Sequence, residues 1–591
     1  MNGARTERAV SLERWLPGLA LARGYRRGWL RHDLVSGLIL TALLVPQGMA
    51  YAEVSGLAPV MGLYATLVPL LVYVVFGPSR ILVLGPDSAL APLILAAIVP
   101  LAAVGEPAER VPLAGMLAIL AGGLCVLGGL ARFGFLTDLI SKPVRMGYLA
   151  GIALTVIATQ LPKLFGFDGG GNDLISALRS FASGIDEIHW LSLAVGVGTL
   201  AVIVVLRRLL PAVPGVFIAV AGATVASWAL DLSARGVSVV GALPQGLPGF
   251  DVPSVSAGDL GSLMLAAVGI AFVAFTDTSV LSRSYSWRMK QEVDQNQELV
   301  ALGAANVLTG LFQGFPISSS SSRTAVAETT GSRSQVTGLV AAIGLALVLL
   351  VATGLVEDLP QPALAAVVIA AVLGLVDVAG FRRLLRARRS EFILATAAFL
   401  GVALLGVLWG IAVSIGLSLL NFVRRAWRPH DAVLGRVAGL KGYHDVTRYP
   451  GAQQIPGLAL YRFDAPLFFA NADHFREEIR ALASDPARPV SRVVICAEPM
   501  TDIDSTAAEI LESLIEELER AGVELAFAEL KDPVRDRLRR YGVHDRLGDA
   551  RFFPTIGVAV RAYIEATGTR WVDWEESEAA EERGGDERPR P

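Results

Sequence analysis

Between Asp33 and Arg424, apolar stretches of roughly 17 to 25 residues recur with short interruptions, each long enough to cross a hydrocarbon core about 30 Å thick. Within a bilayer the backbone must satisfy its own hydrogen bonds, so this pattern restricts the region to membrane-spanning helices. Composition agrees: 53% of the 591 residues are hydrophobic and 18% charged, and the mean hydropathy is +0.54. The chain reads as a polytopic α-helical membrane protein. After Arg428 the sequence turns charged and ordinary.

Arg and Lys cluster in alternate loops: Arg26, Arg27 and Arg31; Arg132, Lys142 and Arg145; Arg207 and Arg208; Arg283, Arg288 and Lys290; Arg333; Arg382 to Arg389; and Arg424 to Arg428. The loops around Pro107, Asp168, Gly236 to Ser256 and Glu357 carry fewer, which predicts that both termini are cytoplasmic in the cell (inner) membrane. Spans counted between these clusters number about fourteen, if two short Gly/Pro-broken segments are included. The Arg-rich start, Arg5 to Arg31, has no apolar core and does not read as a signal peptide.

The two broken segments carry the functional signal. One centres on Gly85-Pro86; the other, Gly314 to Thr324, reads GFPISSSSSRT. They fall third in each set of about seven spans and enter from opposite sides, as in a 7+7 inverted repeat whose discontinuous helices meet near the midplane. The repeats are expected at about 32–231 and 259–428, within a transport unit of 32–428 that follows a cytoplasmic segment of 1–31. Irregular backbone at membrane depth must be buried in protein or line a wet cavity.

The tail alternates strand-like runs (Leu458 to Phe463, Arg492 to Cys496, Glu524 to Phe527) with helical ones (Asp473 to Leu482, Thr506 to Ala521, Pro533 to Tyr541). That predicts a small α/β domain over 440–566. Residues 572–591 are acidic, lack apolar periodicity and are expected to be disordered.

The segment from Ala58 to Leu90, with Pro59, Gly62-Leu63-Tyr64, Pro69, Tyr73, Phe76-Gly77, Ser79-Arg80 and Gly85-Pro86, closely resembles the signature of the SulP (sulfate permease-like) anion transporter family. PQGMAYA at Pro46 to Ala52, NQEL at Asn296 to Leu299 and the serine run extend the resemblance over nearly the whole chain. MTDIDSTAAEIL, Met500 to Leu511, resembles the loop and helix of the STAS domains that these transporters carry at the cytoplasmic C-terminus. The resemblance implies elevator-like movement of a substrate-bearing core against a scaffold, a homodimer, and a cytoplasmic STAS domain open to a cytoplasmic partner.

The site can be read from physics as well. Helix N-termini near Asp87, Ser88 and Ala89, and near Ser318, Ser319, Ser320, Ser321 and Ser322, present unpaired N–H groups and partial positive charge, which together suit an anion. Arg323 adds a full positive charge, unless it serves only to pair with Glu328. Gln47 and Tyr51, four residues apart, share one helix face, and the resemblance places both beside substrate. Asp277 sits mid-span among Phe272, Phe275 and Val280, where a charge is costly, so it is a candidate proton carrier or a permanent partner of Arg323. Relatives that bind sodium here carry a hydroxyl one turn on, but this chain has Leu281, which favours proton coupling. Asp87 is either a helix cap or a second protonatable group. In the tail, Ser505 and Thr506 occupy the position phosphorylated in soluble STAS proteins, and the capping role is preferred.

The expected function is secondary active transport of a small inorganic anion or carboxylate (sulfate, bicarbonate or dicarboxylate class), with the proton as coupling ion and membrane lipid as solvent. An uncoupled anion channel and a membrane-anchored regulatory protein without flux are the alternatives. Net charge is −3, which gives no field for nucleic acid. Cys125 and Cys496 make no disulfide framework, six scattered histidines show no ligand spacing, and the spans hold no nucleophile–base pair, so no cofactor, metal or enzymatic activity is expected.

Overall fold

A computed structural model describes residues 16–18, 23–102, 109–134, 141–169, 174–210 and 214–571. The expected tail of 572–591 and most of the first 22 residues lie outside the described residues. The chain divides into two compact units near Leu419.

The membrane unit is a series of helices: α1 (Leu30–Val54), α2 (Pro59–Phe76), α3 (Ala91–Ile98), α4 (Arg110–Leu130), α5 (Lys142–Phe165), α6 (Leu174–Ser183), α7 (Trp190–Leu209) and α8 (Gly215–Leu230). A second series follows in the same order: α9 (Ala257–Met289), α10 (Gln295–Leu311), α11 (Ser321–Thr329), α12 (Val336–Val351), α13 (Gln361–Leu373), α14 (Val378–Ala387), α15 (Arg389–Leu405) and α16 (Val407–Trp427). Third in each series stands a short helix preceded by a two-residue strand, β1 (Leu84–Gly85) and β2 (Ser318–Ser319). Among the described residues seven helices are long and apolar enough to cross a membrane, and two shorter apolar ones, Gly215–Leu230 and Val336–Val351, accompany them. The sequence count of about fourteen reaches that figure only by including short and broken helices.

Exchanging the two series maps the packing onto itself. The α1–α12 contact corresponds to α9–α4, α3–α9 to α11–α1, and α5–α15 to α13–α7, while β1–β2, α2–α10 and α5–α13 are their own counterparts. The helices also sort into two groups. In one, α1 to α4 pack with α9 to α12; in the other, α5 to α8 pack with α13 to α15. The principal packing between the groups is that of α1 against α13 and α8.

Small residues let the first group close up, as lipid-embedded helices require. A Cβ on Gly122 of α4 would lie 2.6 Å from the carbonyl oxygen of Gly303 on α10, and one on Gly303 equally close to that of Gly122. Buried polar groups then fix the register. Glu298 of the NQEL stretch accepts from Tyr73 Oη at 2.6 Å and Ser282 Oγ at 2.8 Å, clasping α2 and α9 to α10. Asp33, fully buried, accepts from the N–H groups of Arg333 and Ser334 and from the hydroxyls of Ser334, Thr337 and Tyr25, and so caps α12 from α1.

The second unit is a six-stranded sheet in the order β4-β3-β5-β6-β7-β8, with β3 (Asp431–Arg436), β4 (Tyr443–Asp445), β5 (Gly457–Phe463), β6 (Val490–Cys496), β7 (Glu524–Ala528) and β8 (Phe552–Phe553). β3 is antiparallel to β4 and β5, and the remaining pairs are parallel. Alternation along the strands builds two cores. Tyr461, Phe463, Val493, Ile495 and Phe527 pack under α17 (Ala472–Ala483), α18 (Ser505–Arg520) and α19 (Asp532–Arg540), whereas Leu458, Leu460, Val494 and Ala526 pack with α21 (Ile556–Thr567), which follows the short α20 (Val543–Leu547). The three strands and three helices expected from sequence are present, within two residues at each end. β3, β4 and β8 were not anticipated, because they are short or flanked by polar residues. The cap of α18 also differs: Asp504 accepts from the Ala507 N–H at 2.8 Å, and Ser505 is the first helical residue rather than the cap.

Candidate functional site

The two membrane breaks meet. Leu84 pairs with Ser319 and Gly85 with Ser318 in an antiparallel ladder, so backbone groups that Pro86 and Pro316 exclude from helix satisfy one another. The half-helices consequently begin later than the sequence suggested. α3 starts at Ala91, after a turn in which the Leu90 and Ala91 N–H groups donate to the Asp87 carbonyl at 3.2 and 3.0 Å. α11 starts at Ser321, because Ser318 and Ser319 are engaged in the strand.

A cavity of about 680 Å³ lies over these turns. Gln47, Tyr51, Asp87, Ser88, Ala89, Ser319, Ser320, Ser321, Ser322 and Asp277 all line it. Two expected site residues do not. Ser318 turns its Oγ to the Ala274 carbonyl at 3.3 Å, and Arg323 lies wholly buried behind the wall, donating from Nη2 to the Gly85 carbonyl at 3.2 Å. Among the described residues Arg323 Nε and Nη1 have no hydrogen-bond partner, nor do Ser319 Oγ and Gln47 Oε1. Gly85 adopts φ +153°, and a Cβ there would stand 2.8 Å from Arg323 Nη1, so this position requires glycine.

Asp87 accepts from the Ala89 N–H at 2.9 Å, the capping geometry of the turn that opens α3. Arg323 pairs with neither Asp277 nor Glu328. Asp277 Oδ1 lies 3.4 Å from Arg145 Nη2 on α5, and Glu328 pairs with Arg288 at 3.1 Å. Arg145 and Arg207 both line the cavity. Sequence reasoning missed them because each stands at a helix end in a basic cluster, where it counted as a marker of membrane orientation. Thr278, whose Oγ1 accepts from the Ser319 N–H at 3.3 Å, was missed as well. Leu281 does line the cavity, so no hydroxyl occupies that position.

The arrangement gathers the turn before α3, the first turn of α11, a buried guanidinium and hydroxyls around one chamber. Residues 30–398 match the sulfate permease family, and 449–559 match the STAS domain. The chain belongs to the sulfate permease family. It is 44% identical over 550 residues to a probable sulfate transporter of Mycobacterium tuberculosis, covering 93% of this chain and 98% of that protein. A probable sulfate transporter of Arabidopsis thaliana is 32% identical over 575 residues, covering 94% and 84%. Human solute carrier family 26 member 6 is 33% identical over 495 residues, covering 79% and 64%. The fold of this family member superposes on that of the murine solute carrier 26 family member A9 anion transporter in its inward-facing state with a TM-score of 0.85, at 23% identity and 94% coverage of both chains. The transmembrane domain of a cyanobacterial bicarbonate transporter gives 0.58 at 21% identity, covering 67% of this chain and 98% of that one. Membership makes the protein an anion transporter with a helical membrane region and a C-terminal STAS domain.

In the STAS domain, Asp431 of β3 and His474 and Glu478 of α17 each offer one ligand atom, all within 4.8 Å of one another. They could hold a metal ion, although Asp431 Oδ2 already accepts from Tyr461 Oη at 2.9 Å. Histidine spacing hid this group, because only one of its members is histidine. Cys496 packs beneath α21, and burial pushes its thiol up to about 12, which removes it as a nucleophile at neutral pH.

Proposed function

We propose that this protein is a secondary transporter of small oxyanions, with sulfate the leading substrate and bicarbonate and dicarboxylates in the same chemical class. The observation that carries the reading is the joined pair of breaks: the Asp87–Ala89 turn before α3 and the first turn of α11 open onto one cavity, with Arg323 buried behind. The N–H groups that open α11, together with the serine hydroxyls, can grip the oxygens of a tetrahedral or planar anion, and the guanidinium supplies the charge; in the first break the N–H groups of Ala89, Leu90 and Ala91 are taken up by Asp87. Relatives named as sulfate transporters support the choice of substrate.

Movement is elevator-like, the group containing α3 and α11 travelling against the group containing α5 and α13. The sparse packing between the groups supports this. Asp277 carries the coupling proton: ionised, it pairs with Arg145 across the two groups, and protonated, it releases that arginine. Asp87 caps α3. The protein lies in the cytoplasmic membrane as a homodimer with both termini and the STAS domain inside, the orientation that the basic loops favour.

The test is uptake of labelled sulfate, bicarbonate and dicarboxylates into proteoliposomes, with and without an inward proton gradient. Accumulation driven by the gradient is the expected result. Flux far above one ion per conformational cycle points instead to a channel, and folded protein with no flux for any anion refutes transport.

A further inference from the structure

Among the described residues two ion pairs cross between the helix groups, one near each end of α5. Arg145, at its start, reaches Asp277 of α9 inside the cavity. Lys163, near its end, donates from Nζ to Glu53 Oε2 of α1 at 2.8 Å, and the Glu53 side chain is only 8% exposed. Eighteen residue steps of helix lead from the arginine to the lysine, about 27 Å along the axis, close to the thickness of a hydrocarbon core. Glu53 and Lys163 do not line the cavity. Arg145 thus stands at the chamber, and the second clasp between the groups lies outside it, at the other end of α5.

We propose that the Glu53–Lys163 pair is a latch that holds α1 and α5 together on the far side of the membrane while the cavity faces the near side, and that it parts in every transport cycle. This rests on the transport reading above. Elsewhere the groups meet largely through apolar faces, with Val367 and Val368 of α13 and Val220 of α8 sharing the core around Leu40 and Leu44 of α1. Apolar faces slide without losing a directional partner. A short ion pair with a nearly buried carboxylate does not, because separating it strands that charge until water reaches it. Opening the far side admits that water, so the latch is strong when the far side is shut and weak once it is hydrated. The Gly56 carbonyl, just beyond Glu53, accepts from Arg110 Nη1 at 3.1 Å, which anchors this end of α1 to α4 within its own group and leaves Lys163 as the bond to the other.

Full-length protein carrying Glu53→Cys with Lys163→Cys tests this, since the native Cys125 and Cys496 are both buried. Bridging the pair with a short bis-methanethiosulfonate, which joins each thiol through a disulfide, is expected to lower uptake at least about tenfold, with recovery on reduction and no effect of the reagent on either single variant. Unchanged uptake by the bridged protein overturns the latch and leaves the transport reading intact. A second readout needs no substrate. Val280 lines the cavity, and labelling of Val280→Cys by an impermeant maleimide applied from the Glu53 side should rise about fivefold when Glu53→Gln is added. The exchanged pair Glu53→Lys with Lys163→Glu should bring labelling back towards the parent value. If wild-type protein moves no anion, the transport reading falls. Labelling that ignores Glu53→Gln then refutes the latch on its own account.

Discussion

Arg323 of the second half-helix donates to the Gly85 carbonyl of the first break across 3.2 Å, with no room for a side chain between them. The guanidinium proposed to attract the anion is thus anchored by the other break, and the two breaks are joined by a side chain as well as by backbone.

Disturbing either partner should therefore damage the same step. Gly85→Ala places a methyl against the guanidinium, and Arg323→Lys keeps the charge while losing the planar fork. Each is expected to reduce anion uptake by about tenfold or more while the protein still elutes as a folded species. Measured affinities by a direct binding assay should fall in parallel with uptake.

Asp277→Asn leaves Arg145 without its carboxylate and removes the group assigned to the proton. Accumulation driven by a proton gradient should disappear, whereas anion exchange between equal internal and external pools should persist. Retention of gradient-driven accumulation in this variant would release Asp277 from that role.

Asp33 predicts a purely structural effect. Its carboxylate on α1 serves five donors, from α12 and from the segments before α1 and α12, with no exposure to solvent. Asp33→Ala strands those donors and should cost about 3 kcal/mol, seen as a lower unfolding temperature in detergent with substrate affinity unchanged in the protein that remains folded.

The STAS domain should show its own acid sensitivity. Hydrogen bonds from Arg551, and then from Arg492, hold the Glu524 carboxyl down from 4.5 to about 2. A folded value below the unfolded one contributes stability above about pH 4.5 and loses it as the pH falls towards 2. Tryptophan fluorescence or circular dichroism of the full chain between pH 6 and 2 should show a transition that Glu524→Gln makes shallower; partial exposure of this side chain keeps the difference small.

Hydropathy alone located the membrane region, and strand alternation located Leu458 to Phe463 and its neighbours, because burial on one face writes a period into the sequence. The Gly-Pro breaks and the serine run pointed to the residues around the cavity, since irregular backbone at membrane depth is stable only when packed in protein or facing a wet chamber. What stayed hidden were choices of partner. Nothing local distinguishes Arg145 from any basic residue at a cytoplasmic loop, and its pairing with Asp277 depends on how α5 packs beside α9. Ser318 and Ser322 look alike in the run, yet the ladder with Leu84 and Gly85 turns one away from the cavity and leaves the other facing it.

The ladder between Leu84–Gly85 and Ser318–Ser319 has a consequence for biogenesis. The first break leaves the ribosome long before its partner exists, so for that interval Gly85 and its neighbours carry unanswered N–H and C=O groups at bilayer depth. A nascent first half is therefore an incomplete membrane protein however apolar its helices are. It must be sheltered, by the insertion machinery or by lingering near the interface, until the second half arrives to close the joint.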